Sequence, residues 1–144
     1  MSDSLGRLEL WIMNADGSNQ RQVTREGISV HFIRWSFDGS TLTFMTPQGL
    51  MSAPADGGAA KKIEGIKGGF HHSYSPDRTR IMDVTNHRTL WVSPLNGRPP
   101  QQVFEFRDPR VRIDYPVWSP DGRSVVFDRS LPEGGDIWML SGLE

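Results

Sequence analysis

The chain has 144 residues, 36% of them hydrophobic, with five Trp and seven Phe, which is enough apolar material for the core of one domain. Sixteen Lys and Arg stand against seventeen Asp and Glu, and no block of like charge marks a nucleic-acid or anionic-membrane partner. The absence of Cys excludes disulfides, thiolate zinc sites and cysteine nucleophiles, and leaves periplasm and cytoplasm both open as compartments.

The predicted elements are short strands. No apolar run reaches the length of a transmembrane helix, residues 1–10 lack the pattern of a secretory signal, and a soluble chain is expected. The first hairpin is "LWIMNADGSNQRQVT", residues 10–24, turning at Asp16-Gly17. Its form returns without a gap as "LMSAPADGGAAKKIE" and "LWVSPLNGRPPQQVF", so that Asp16, Asp56 and Asn96 are each 40 residues apart, as are Trp11, Met51 and Trp91. "NADGSN" loosely resembles the start of a calcium loop, but the downstream acidic ligand is missing and the recurrence marks a turn.

A second hairpin lies between these copies: "IRWSFDGSTLTFMT", "HSYSPDRTRIMDV" and "VWSPDGRSVVFDR", anchored by Trp35, Tyr74 and Trp118. Each anchor precedes a Ser, a turn around Asp38, Asp77 or Asp121, and an alternating apolar run. Two hairpins per period make four strands every forty or so residues. No segment keeps a helical apolar stripe, and ten Pro with fifteen Gly punctuate the chain, so it is all-β.

Four-stranded units at this period predict β-propeller blades. The expected divisions are a half blade at 8–24, blades at 27–64 and 67–106, and a three-stranded blade at 111–141 completed by N-terminal strands. Trp11, Trp35, Tyr74, Trp91, Trp118 and Trp138 are expected as packing residues between blades, with Leu42, Ile81 and Val125 on the second strands.

"WSPDG" followed by "VVF" and "DIWML" resembles the repeat of TolB-like propellers, a WD-type family also found beside prolyl-oligopeptidase-like hydrolase domains. The resemblance spans residues 8–142 and weakens at 72–84, where Tyr74 replaces Trp and Arg78 replaces Gly. It implies a fold and, from TolB-like domains, a noncatalytic scaffold that binds a protein or peptide. Slightly over three blades cannot close a ring of four to eight, so the expectation is either a longer parent with blades upstream or a homodimer closing six blades. An excised or engineered half-propeller fits the same count.

No G-x-S-x-G elbow, phosphate loop or HExxH is present, no cofactor is expected, and no catalytic residue is assigned. Alignment on the anchors places His31, Phe70 and Asp114 four residues before them, and Phe32, His71 and Tyr115 three before. Ile33, His72 and Pro116 stand two before. In a propeller these positions enter the innermost strand beside the channel, so His31, His71, His72, Asp114 and Tyr115 are the candidate ligand-binding residues. His31, His71 and His72 are the weak metal candidates. Some TolB-like pectate-degrading lyases are similar in carrying channel histidines on a metal, which makes a metal-dependent lyase fragment the alternative. Against it, adjacent His71 and His72 point to opposite faces of one strand. Asp83 occupies the place of Phe44 and Phe127, and Arg34, Arg80 or His87 are its expected partners.

Overall fold

The computed structural model describes residues 8–25, 27, 29–67 and 71–142; Phe70 lies outside them. The chain divides into two compact units, Met1–Ile63 and Glu64–Glu144, each built of antiparallel sheet. Among the described residues there is no helix.

In the first unit, β1 (Trp11–Ile12) pairs with β2 (Arg21–Gln22). Strands β3 (His31–Trp35), β4 (Thr41–Thr46), β5 (Gly49–Pro54) and β6 (Lys61–Lys62) follow as a meander in that spatial order. Alternation puts Leu42 and Phe44 on one face of β4, where they pack with Ala53, Leu10, Val23 and Val30. The short pair is stitched by side chains as well: Leu10 N–H donates to Thr24 Oγ1 at 3.0 Å, and the Thr24 hydroxyl donates to Glu9.

The second unit repeats the meander in β7 (His72–Tyr74), β8 (Arg80–Thr85), β9 (Thr89–Pro94) and β10 (Gln101–Glu105). A three-stranded sheet follows, β11 (Arg112–Trp118), β12 (Ser124–Leu131) and β13 (Gly134–Ser141). The two sheets pack face to face: Met82, Val84, Leu90 and Val92 of one meet Val111, Ile113, Trp118, Val125 and Phe127 of the other. Burial of this apolar face is the main stabilising contribution in the unit.

The recurring "SxD" turns share one bonding scheme. Ser36, Ser75 and Ser119 each donate their hydroxyl to the Asp two residues on, at 2.7, 2.6 and 2.5 Å. The same Asp oxygen accepts the N–H of Ser40, Thr79 or Arg123, and the Ser oxygen accepts the N–H of Thr41, Arg80 or Ser124. These bonds to the charged form hold Asp38 and Asp77 down to about 2 and lower Asp121 as well. The turn needs a left-handed residue, which is Gly39 (φ 69°) and Gly122 (φ 72°) in two copies and Arg78 (φ 61°) in the third.

The packing aromatics do not share one environment. Trp118 is buried, with the Arg80 guanidinium 4.9 Å from its ring centre, and Tyr74 and Trp91 are half-buried. Trp11, Trp35 and Trp138 are 49%, 53% and 44% exposed, which corrects the expectation that they are enclosed. For Trp35 the reason is local. The two-residue strands β1 and β2 cover Leu42 and Phe44, and among the described residues of the first unit nothing occupies the place that Arg80 fills over Trp118. Trp138 rests one side on Phe106, 6.3 Å between ring centres, and on Arg129; its strand has a neighbour on one edge only.

Candidate functional site at the start of the innermost strands

The innermost strand of a sheet carries the same irregularity in both units. Register slips between His31 and Arg34 on β3, and between Asp114 and Val117 on β11. The extra residue is Phe32 (φ 53°) in one and Tyr115 (φ 51°) in the other. Such a conformation costs a non-glycine residue on the order of 1–3 kcal/mol, and bulges of this kind re-aim side chains at strand ends.

In the second unit the bulge lies beside a cluster of polar groups. Asp114 Oδ1 is hydrogen-bonded to His87 Nδ1 at 2.6 Å and lies 3.1 Å from His71 Nε2. The backbone N–H of Asp114 is in turn held by its cross-strand partner Asp128, 2.6 Å away. The Tyr115 ring lies 4.0 Å from the His71 ring and is half exposed.

His87 arrives by turn chemistry. Asn86 and His87 both have φ of 52°, and Arg88 N–H donates to Thr85 O, so the β8–β9 hairpin closes in a type I′ turn. The His87 carbonyl then accepts the Ile113 N–H at 2.7 Å, anchoring the turn to β11. An open depression of about 410 Å³ adjoins it, lined by Asn86, His87, Arg88, Pro109, Arg110, Val111 and Arg112. Arg110 is engaged there by Asp108 at 2.9 Å and Glu133 at 3.7 Å.

Of the residues expected from sequence, His71, Asp114 and Tyr115 are therefore brought together. His72 is cross-strand from Asp83 and stands on the other face of β7; His31 belongs to the first unit and is bonded to Ser29. His87 and Asp128 complete the cluster. His87 is one of the three partners expected for Asp83, with Arg34 and Arg80, and Asp128 is not among the expected site residues.

Asp83 itself is corrected. It is 1% exposed and has no ion pair among the described residues: His87 is on Asp114, Arg80 is over Trp118, and Arg34 bonds a backbone carbonyl. Burial pushes its carboxyl up to about 7; the Ser93 hydroxyl offsets part of that rise from nearby, without reaching hydrogen-bond geometry.

The residues proposed for a divalent metal do not fit one. Among the described residues no group of three His, Asp or Glu is placed to hold a metal ion. His71 and His72 diverge, and the Asp114 oxygen that faces the imidazoles is already committed to both.

No family model and no curated protein matches the chain. Solved structures do. A protein described as a TolB from Agrobacterium tumefaciens superposes with a TM-score of 0.72 at 17% identity, over 96% of this chain and 54% of that one. TolB from Acinetobacter baumannii gives 0.68 at 16% identity, over 92% and 35%. An oligogalacturonate lyase from Vibrio parahaemolyticus gives 0.67 at 18%, over 91% and 41%. The chain thus spans about half or less of each of these three structures. With antiparallel sheets of up to four strands and no helix among the described residues, it has a TolB-like propeller fold, present here as a partial propeller.

Proposed function

We propose that this chain is a noncatalytic propeller module that works as a binding and assembly scaffold, and that it pairs with a second copy to close a six-bladed ring. The observation that carries this is sheet completeness. Two sheets have four strands, whereas β1–β2 has two and β11–β13 three, and β13 runs eight residues with one edge unpaired among the described residues. Its sequence "GGDIWMLS" holds no Lys or Pro to discourage pairing, so the edge is built to be covered. The start of β11 then supplies a recognition surface for a protein or peptide: Tyr115 against the His71 ring, with Asp114 hydrogen-bonded to His87 and 3.1 Å from His71. The Asp114 carboxylate, hydrogen-bonded to His87 and within ion-pair distance of His71, supports a fixed binding group rather than a catalytic base.

Light scattering on the purified chain tests the reading. A mass of twice the 16.2 kDa protomer is expected, and a monomer at every concentration contradicts it. The metal-dependent lyase reading has less support, since His72 faces Asp83 and does not join His71 and Asp114. Manganese or zinc shifting the melting temperature by several degrees, with the shift abolished in His71→Ala, would restore it.

A further inference from the structure

Five turns of the chain carry an acidic or amide residue directly before a glycine: Asp16-Gly17, Asp38-Gly39, Asp56-Gly57, Asn96-Gly97 and Asp121-Gly122. All five glycines are left-handed, with φ of 84°, 69°, 106°, 82° and 72° in that order. Four of the turns close in the same way. The glycine N–H donates to the carbonyl three residues back: Gly17 to Asn14 at 2.9 Å, Gly39 to Ser36 at 3.1 Å, Gly57 to Pro54 at 3.1 Å and Gly122 to Ser119 at 2.9 Å. An N–H held on a carbonyl gives up its proton less readily, and its nitrogen cannot approach the neighbouring side chain without breaking that bond.

The Asn96-Gly97 turn, between β9 and β10, departs in two respects. The Gly97 N–H makes no bond to Pro94 O, nor to any other acceptor among the described residues. The side chain before it is an amide, where the four sister turns carry a carboxylate. Carboxylates resist attack by an electron-rich nitrogen, and hydrogen bonds keep those of Asp16, Asp38 and Asp121 in the charged form.

The local geometry favours reaction at Asn96. Its Oδ1 accepts the Arg98 N–H at 3.2 Å. That bond carries the side chain forward along the backbone, past the Gly97 nitrogen, and draws electron density from the amide carbonyl, leaving Cγ more electrophilic. Asn96, Gly97 and Arg98 are exposed, and a Cβ built on Gly97 would meet nothing within 4 Å, so the space beside the nitrogen is open. The other three asparagines, Asn14, Asn19 and Asn86, precede Ala15, Gln20 and His87, whose side chains crowd the same approach.

We propose that Asn96 is a self-modification site, where the β9–β10 turn deamidates through a cyclic imide closed by the Gly97 nitrogen. Solvent hydroxide takes the Gly97 amide proton, and the nitrogen bonds to Asn96 Cγ. The Cγ–Nδ2 bond breaks; Nδ2 takes a proton from water and leaves as ammonia, which returns the hydroxide. Water then opens the imide at either carbonyl. Breaking the new N–Cγ bond leaves an aspartate, the residue that the sister turns already hold at Asp16 and Asp56. Breaking the bond to the main-chain carbonyl instead leaves an isoaspartyl linkage, with the backbone routed through the side chain and one methylene longer. Either product adds one negative charge to a chain of formal net charge −1. The longer product strains the hairpin in particular, because Leu95 N–H is tied to Thr79 O at 2.8 Å on one side and Gln101 pairs with Val92 on the other.

The test uses the folded full chain, kept in warm, mildly alkaline buffer and mapped by peptide mass spectrometry over time, with fragmentation that separates aspartate from isoaspartate. Asn96 should convert at least about tenfold faster than Asn14, Asn19 or Asn86. Conversion at Asn96 no faster than at those three overturns the site. The variants Asp16→Asn and Asp56→Asn place the same Asn-Gly pair in turns whose glycine N–H is already bonded, circular dichroism confirming that each keeps its sheet content. Slower conversion of the introduced amides than of Asn96 in the same molecules supports the proposal; conversion as fast as at Asn96 overturns the role given to the open Gly97 N–H. The wild-type arm needs no variant to fold.

Discussion

Asp83 is where the repeat departs from its own rule. Phe44 and Phe127 fill the matching sites with apolar rings, and Asp83 puts a carboxyl there with neither oxygen hydrogen-bonded. Its folded-state pKa of about 7 lies above the unfolded value of 3.8, so its contribution is fully favourable below 3.8 and is lost as pH rises through 7. Stability should therefore fall between about pH 4 and pH 7, and Asp83→Asn should flatten that profile and raise stability at pH 8 by a few kcal/mol on the order-of-magnitude scale of the shift. Chemical denaturation at pH 5 and pH 8 checks this; equal pH slopes in wild type and variant would refute it. Arg78 is a second departure, a left-handed residue where its two sister turns use Gly. Arg78→Gly should stabilise the hairpin by about 1 kcal/mol, read as a rise in melting temperature.

At the scale of the element, the hairpins were the most legible part of the sequence. "SxDG" is readable because each side chain has a bonding role that no other residue fills equally: hydroxyl to carboxylate, carboxylate to N–H, and Gly to the left-handed position. Removing the hydroxyl in Ser119→Ala should loosen β11 from β12 and lower stability by about 1–2 kcal/mol, measured in urea. Asp38 and Asp77 are held near 2, so the turns keep this stabilisation above the unfolded value of 3.8 and lose it as pH falls toward 2. The site was legible only in part. Alignment on Trp118 found Asp114 and Tyr115 because strand position follows from the repeat. It did not find the His71–Asp114–His87 arrangement, because His87 enters from a hairpin turn and the bulge at Tyr115 shifts the register by one. A strictly alternating strand would have sent these side chains elsewhere.

For the whole molecule, the period showed how many strands the chain holds but not which faces they leave bare. Burial of Trp11, Trp35 and Trp138 was expected from their place in the repeat, yet a repeat position is buried only if the neighbouring sheet exists. Val125 and Trp118 have such a neighbour; Val126, Ile137, Met139 and Trp35 do not. Hydrogen exchange, followed by mass spectrometry on dilute and on concentrated protein, reads the completion of the sheet itself. Amides of β13, Gly134–Ser141, should exchange slowly when the protein is concentrated and much faster on dilution, in step with the loss of dimer. Exchange of β13 that is fast and independent of concentration would contradict the account.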